Sequence, residues 1–244
     1  ALSFTQLVQA DTGLLRQPAI SKDKLAFVYS GDIWLADRDG KNPRRLTNHP
    51  ASEFAPVFSP DGKWLAFSAS YDKNTDVYVM PAEGGDARRL TWHPGADVVV
   101  GWSPDSKRIV FASSREIAVS RSNQLYEVAI EGGEEKKLME AIAWEGNWSA
   151  DGKWLAYQPF PSAYSGAAGW RQYRGGMTPP IWLIDAKSQQ WEKVPHENAS
   201  DKSPVWLGDD VYFISDRNGV ANVFVYQRAT KVVKQVSQES EWDV

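Results

Sequence analysis

Three histidines occupy matching places along the chain, and imidazole readily serves as a metal ligand or a general base near neutral pH. They are His49, His93 and His196, which follow Leu-Thr-Asn, Leu-Thr-Trp and Val-Pro. Matching places in a repeated architecture lie apart in space, so the three imidazoles are not expected to converge. We predict that each bonds to nearby backbone and stabilises a turn, and we predict neither a metal site nor a cofactor.

A long insertion between residues 159 and 180 holds a second set of chemically capable side chains. Among glycines and prolines it contains Trp170, Arg171, Tyr173 and Arg174. Arginine pairs with a carboxylate through two parallel hydrogen bonds and also stacks on aromatic rings. The insertion therefore suits recognition of an extended peptide or its carboxy terminus, and these four residues are predicted to bind ligand. The alternative is a loop that plugs a channel or packs on a neighbouring domain.

Three acidic residues form a third set of candidate site residues, and each lies at a fixed distance before a short repeated sequence phrase. The phrase runs apolar residue, Ser, Pro or a small residue, Asp and often Gly, and its second residue falls at 21, 59, 103, 149 and, in a degenerate copy, 207. Glu53, Asp97 and Asp201 each lie six residues before that second residue. We expect these carboxylates to ring one mouth of a central channel, where they could hold a cation or a peptide amino terminus. Capping of local turns is the alternative.

The repeated phrase also decides the architecture. Its spacing of 38, 44, 46 and 58 residues indicates stacked supersecondary units that cannot bury their own faces. Each unit divides into four short β segments bounded by turn residues. We predict an all-β fold, a β-propeller with five recognisable four-stranded blades at approximately 12–50, 51–95, 96–143, 144–200 and 201–244. Residues 1–244 then form one domain, with the variable loops on the face opposite the phrase turns.

Composition and motif searches exclude several functions. The net charge is −4 with both signs interspersed, which argues against nucleic acid, and no apolar run is long enough for membrane insertion. Cysteine is absent, so disulfides and thiolate chemistry are excluded. The segment Gly101-Trp102-Ser103-Pro104-Asp105 lacks the second glycine of a nucleophile elbow, and His196-Glu197 lacks the second histidine of a zincin. We predict that this chain is not an enzyme.

The first ten residues allow two interpretations. Phe4 to Val8 could form a lone outer strand that locks the ring between the termini. Alternatively, Val8 and Ala10 match the small residues of a signal-peptidase site, which makes residues 1–10 the remnant of a signal peptide. The second interpretation predicts a periplasmic or secreted protein, and a cytoplasmic location is the alternative.

The blade sequences resemble a known family. The unit at residues 58–91, with FSPDGKWLAFSA and DVYVMPAEGGDARRLT, is similar to the TolB-type blade, a relative of the WD40 repeat. Three segments together, at residues 14–18, 170–176 and 215–219, resemble the amino-terminal propeller of tricorn-type proteases. The resemblance implies a six-bladed propeller followed by a second propeller and a serine peptidase portion.

Two functions follow from the resemblance. As a tricorn-like propeller, the chain would bind or gate peptides for a serine peptidase portion that it does not itself contain. As a free-standing TolB-like module, it would instead dock a folded protein partner. The sequence leaves open whether five blades close the ring alone, or whether an oligomer or a further blade completes it.

Overall fold

The computed structural model describes residues 15–117, 122–162, 172–241 and 243. These residues form five antiparallel sheets, each with four strands hydrogen-bonded in chain order. Each sheet is one blade of a β-propeller, which confirms the predicted all-β fold and the five four-stranded blades. The outer strand or signal remnant predicted for residues 1–10 lies outside the described residues.

The strands are short and are numbered in chain order. Blade 1 comprises β1 (Arg16–Ile20), β2 (Lys24–Tyr29), β3 (Asp32–Asp37) and β4 (Arg44–Arg45). Blade 2 comprises β5 (Glu53–Phe58), β6 (Trp64–Ala69), β7 (Asp76–Pro81) and β8 (Arg88–Arg89). Blade 3 comprises β9 (Asp97–Trp102), β10 (Arg108–Ser113), β11 (Gln124–Ala129) and β12 (Lys136–Lys137). Blade 4 comprises β13 (Glu145–Trp148), β14 (Trp154–Gln158), β15 (Trp182–Asp185) and β16 (Trp191–Lys193). Blade 5 comprises β17 (Asp201–Leu207), β18 (Asp210–Ser215), β19 (Asn222–Gln227) and β20 (Val232–Gln235).

The repeated phrase forms the turn between the first two strands of a blade. In blade 2, Ser59 Oγ donates to Asp61 Oδ1 at 2.6 Å and accepts from the Trp64 amide at 3.0 Å. Gly62 has a φ of +72°, a left-handed conformation that favours glycine. Blades 3 and 4 repeat the Ser to Asp hydrogen bond. These turns and the turns between third and fourth strands share one end of the propeller, the turn face, and the remaining loops and blade links form the loop face.

These turns predict a defined acid sensitivity, which is sharpest at Asp151. The Ser149 hydroxyl and the Lys153 amide both donate to this carboxylate, and together they lower its pKa from 3.8 to about 2. A lowered native pKa means that the stabilisation is present above the unfolded value and is lost as the pH falls through the native value. We expect urea unfolding to show stability falling from about pH 4 to about pH 2. Asp151→Asn should flatten that slope, and an unchanged slope would contradict this assignment.

Four hydrophobic clusters hold consecutive blades together. The first joins blades 1 and 2 around Leu35 and Phe67, and the second joins blades 2 and 3 around Phe111. The third joins blades 3 and 4 around Leu125, and the fourth joins blades 4 and 5 around Phe213. Successive side chains of a strand point to opposite faces, so each middle blade buries apolar residues against both neighbours.

No comparable cluster joins blade 5 to blade 1 within the described residues. In β18 the side chains alternate, with Val211 and Phe213 fully buried toward blade 4 but Tyr212 and Ile214 only half-buried. Several large apolar side chains of the first and last blades are exposed: Leu15, Tyr29, Val205, Leu207, Val232 and Val236. The outward faces of these two blades are therefore less well covered than the four seams between consecutive blades.

Paired arginines on the outermost strands of blades 1 and 2 reinforce the seams with the next blade. Arg44 Nη2 donates to the Glu83 carbonyl of blade 2 at 2.6 Å, and Arg88 makes the corresponding contact from blade 2 to backbone of blade 3. The second residue of the pair bonds within its own blade, as Arg45 does to Asp32 at 2.8 Å. The same charges protect these short strands against pairing with another edge.

Candidate functional site

The predicted carboxylate of blade 3 lies inside the protein. Asp97 is fully buried, and its Oδ2 accepts from Arg115 Nη2 at 2.7 Å. The guanidinium carbon of Arg115 lies 5.2 Å from the ring centre of Phe111 and 4.8 Å from that of Tyr126. The arginine is thus held by a carboxylate and by aromatic rings, which attract a cation to their faces.

Blade 5 repeats this arrangement and adds a histidine. Asp201 is fully buried, and both of its oxygens accept from Arg217 Nη2, at 3.0 and 3.1 Å. The Arg217 guanidinium lies 5.3 Å from the ring centre of Phe213 and 5.1 Å from that of Phe224. His196 Nδ1 is 2.9 Å from Asp201 Oδ2. The group joins the link before blade 5 to the loop after β18.

Blade 2 replaces the arginine by a tyrosine. Glu53, also fully buried, accepts from the Tyr71 hydroxyl at 2.6 Å and from Thr47 Oγ1 at 2.9 Å. Burial raises the pKa of Glu53, and these hydrogen bonds to the carboxylate oppose that rise. Burial and the nearby Glu53 raise the pKa of Tyr71. The pair of Glu53 and the neutral donor Tyr71 in blade 2 therefore corresponds to the aspartate–arginine pairs of blades 3 and 5.

The structure therefore does not bring Glu53, Asp97 and Asp201 together around an open mouth. Each is buried at the start of an inner strand and bonded to a side chain from a neighbouring link or loop. These paired groups fix the chain path locally, because separating them would leave a buried charge without its partner. The placement favours the turn-capping alternative, and a ligand-binding role for these three residues stays a prediction.

The histidines lie in separate links, as expected. His49 Nδ1 accepts from the Ala51 amide at 3.0 Å, and His93 Nδ1 accepts from the Gly95 amide at 2.9 Å. The predicted turn-stabilising role is confirmed for these two, whereas His196 bonds to a carboxylate instead of backbone. In the parts of the chain that the structure describes, no three metal-ligating side chains come together.

The insertion is anchored to blade 5 by one of its predicted arginines. Arg174 donates from Nη1 to Asp216 Oδ2 at 2.9 Å and from Nη2 to the Asp216 carbonyl at 2.7 Å. Its own carbonyl accepts from Asn198 Nδ2 at 2.6 Å. Tyr173 is half-buried beside it, and Trp170 and Arg171 lie outside the described residues. Because Arg174 already has a carboxylate partner, the described part of the insertion favours an anchoring role, and its ligand-binding role stays a prediction.

A cavity of about 630 Å³ lies at the turn-face ends of the inner strands. Every blade contributes to its lining through the apolar residue that opens the repeated phrase: Ile20, Phe58, Trp102, Trp148 and Trp206. Each of these residues pairs with an apolar residue of its second strand, as Trp148 does with Leu155, so the five lie at equivalent positions in their blades. We call these five residues the apolar mouth.

Sequence reasoning missed the apolar mouth as a candidate site. The phrase predicts a structural repeat, and the sequence assigns ligand binding to the insertion and to the three carboxylates instead. The available signal was the size of the first residue of the phrase, which increases along the chain from Ile20 through Phe58 to the three tryptophans. That signal is ambiguous, since core packing and ligand binding both favour large apolar side chains.

The five radially repeated sheets and the cavity at one end define this chain as a β-propeller domain. Among the described residues, no helical segment has both the length and the apolar character needed to cross a bilayer. The tricorn protease N-terminal β-propeller profile matches residues 12–244. The chain therefore belongs to that family.

Individual relatives agree with this assignment. A tricorn protease homolog from Streptomyces coelicolor is 31% identical over 217 residues, which cover 86% of this chain but only 18% of that protein. The crystal structure of the tricorn protease superposes with a TM-score of 0.80 at 23% identity, covering 94% of this chain and 23% of that one. A TolB structure from Agrobacterium tumefaciens gives a TM-score of 0.72 at 21% identity, covering 91% of this chain and 80% of that one. The chain thus spans about a fifth of the tricorn relatives.

Proposed function

We propose that this propeller binds peptides at its channel and gates their passage to a serine peptidase portion of a larger protein, without performing chemistry itself. The observation that carries the proposal is the apolar mouth, where all five blades meet around one cavity of about 630 Å³. Family membership adds support, because the matching relative is named as a protease homolog and is much longer than this chain.

The inner strands supply a second reason to expect a peptide. Within its sheet each of β1, β5, β9, β13 and β17 pairs on one side only, so the opposite edge is not used by its own blade. Where a neighbouring blade does not already bond to it, as Asn147 does to the Trp206 amide, such an edge offers backbone donors and acceptors that an extended peptide can match. The apolar mouth would then receive side chains while the strand edges hold the peptide backbone.

A TolB-like role is the second candidate, in which a folded protein docks on the propeller. The TolB structure supports it, because the likeness extends over 80% of that chain. The two candidate functions differ in whether a short peptide can compete with the bound partner. A short peptide should block binding to the channel under the first proposal but should leave a broad protein complex largely intact under the second. The periplasmic or secreted location stays a prediction in both cases.

If the apolar mouth binds peptides, removal of its half-buried aromatic side chains should weaken peptide binding. Trp148 and Trp206 are the half-buried tryptophans of the mouth. We expect Trp148→Ala with Trp206→Ala to weaken binding by about tenfold or more, because buried aromatic contacts dominate many interfaces. The measurement is fluorescence anisotropy with a labelled mixed-sequence peptide of about ten residues.

Trp191 provides the matched control for this measurement. It lies on the outer strand of blade 4, is 65% exposed, and is not in the cavity lining. Trp191→Ala should leave peptide affinity unchanged, and thermal unfolding should show that the double variant is folded. Equal affinities for the double variant and the parent chain would reject the apolar mouth as the peptide site.

A further inference from the structure

The cavity at the apolar mouth has an uneven distribution of charge. Lys22 and Arg38, both exposed, contribute cationic side chains from two adjacent turns of blade 1. Asp61 is the single carboxylate among the described lining residues. It is already engaged, because Ser59 Oγ donates to it at 2.6 Å and Lys63 Nζ lies 3.5 Å from it. Two cations of blade 1 therefore line the cavity, and the carboxylate in its described lining is already engaged by Ser59 and Lys63.

The arginine on this side is held in a defined place. Arg38 Nη1 donates to the Lys22 carbonyl at 3.2 Å, and the Arg38 amide donates to the Asp23 carbonyl at 3.0 Å. These bonds connect the two turns and hold the Arg38 guanidinium at the cavity edge. Neither cation makes an ion pair with any carboxylate in the described residues, and the Asp23 carboxylate is not part of the lining. Concentrated charge at the rim of a cleft attracts ligands of opposite sign.

A polar side chain from blade 4 completes the lining. Asn147 Oδ1 accepts from the Trp206 amide at 3.1 Å, which fixes the side-chain amide in blade 4. The Asn147 amide nitrogen carries two N–H groups, and these suit a peptide carbonyl. Trp148 and Trp206 lie next to it in the lining. The cavity thus combines an apolar wall, a backbone-binding donor and a cationic edge.

We infer that the apolar mouth selects peptide segments in which a large apolar side chain stands next to acidic residues. The apolar side chain contacts Trp148 and Trp206, and the carboxylates pair with Lys22 and Arg38. This inference rests on the proposed function and names the class of peptide for the same site. Lysine-rich segments are disfavoured, because they bring like charge to the cationic edge.

Three labelled peptides of one length test this selectivity. Each has a central tryptophan in a glycine-serine background, flanked by Asp and Glu in the first peptide, by Asn and Gln in the second, and by lysines in the third. We expect the acidic peptide to bind about tenfold more tightly than the neutral one, and the lysine peptide to bind most weakly. Added salt should weaken the acidic peptide most, since the cationic edge is exposed to solvent.

Charge reversal assigns the selectivity to particular residues. The variant with Lys22→Glu and Arg38→Glu should lose the preference for the acidic peptide and bind the lysine peptide more tightly than the parent chain does. The matched control carries Lys136→Glu and Lys234→Glu, which make the same change in net charge on the exposed outer strands of blades 3 and 5. The control should keep the parental order of affinities.

The possible results separate this inference from the function on which it rests. Equal binding of all three peptides would overturn the selectivity while leaving peptide binding in place. A preference that survives Lys22→Glu with Arg38→Glu would overturn the assignment to this edge of the cavity. Failure of all three peptides to bind would reject the proposed function itself.

Discussion

Removal of the Asp201 carboxylate by Asp201→Ala is expected to lower the free energy of unfolding by about 3–5 kcal/mol, because it leaves a buried arginine without its counter-charge. Arg217 is only 5% exposed and donates to both oxygens of Asp201. It cannot reach water without leaving the rings of Phe213 and Phe224. Urea denaturation of the variant and the parent chain measures the difference.

Two further variants show whether the loss comes from the unpaired charge. Asp209→Ala removes an exposed carboxylate in the next turn and should change stability by no more than about 0.5 kcal/mol. Combining Asp201→Ala with Arg217→Met should recover part of the stability, since both charges are then gone. A loss below about 1 kcal/mol for Asp201→Ala alone would mean that the pair does not hold the blade 5 link.

The second large effect is expected at the seam between blades 4 and 5. Phe213 is fully buried in the cluster that joins these blades. Phe213→Ala should cost about 3–5 kcal/mol, because it removes buried apolar surface and leaves a cavity that the surrounding strands cannot close. The unfolding midpoint in urea and the free energy derived from it provide the measurement.

Ile214 is the matched control, since it is the next residue on the same strand and faces the other way. It is half-buried and is not among the residues that form the cluster between blades 4 and 5. Ile214→Ala should cost only about 1 kcal/mol, because less of its side chain leaves water on folding. Equal losses at both positions would show that the outward face of blade 5 is as well packed as the seam.

The architecture was predictable because one short phrase carries both local and periodic information. Ser59, Asp61 and Gly62 have the types that a tight turn requires, and the aspartate returns once in every blade and the serine in the first four. Contacts between blades were less accessible to sequence reasoning. Arg44 reaches Glu83 across a seam, and nothing in a single sequence identifies such a pair, since both residues also suit an exposed strand or turn.

The candidate site was predicted less well, and the acidic residues show why. Their spacing correctly indicates the start of an inner strand, but spacing does not reveal whether a side chain points into a channel or between blades. The direction depends on Arg115 and Arg217, because each forms an ion pair with one of the buried aspartates. The recurrence of Ser-x-Arg at the ends of β10 and β18 is the one trace of these arginine positions in the sequence.

Within the described residues, the four seams between consecutive blades hold the five sheets together as a row. A unit in the middle of such a row is supported on two sides, and a unit at either extremity is supported on one. Fluctuations that detach a sheet therefore cost least at the extremities, and blade 3 is the most protected. Within the described residues, the half-covered flanks of blades 1 and 5 are consequently where local opening is expected to cost least.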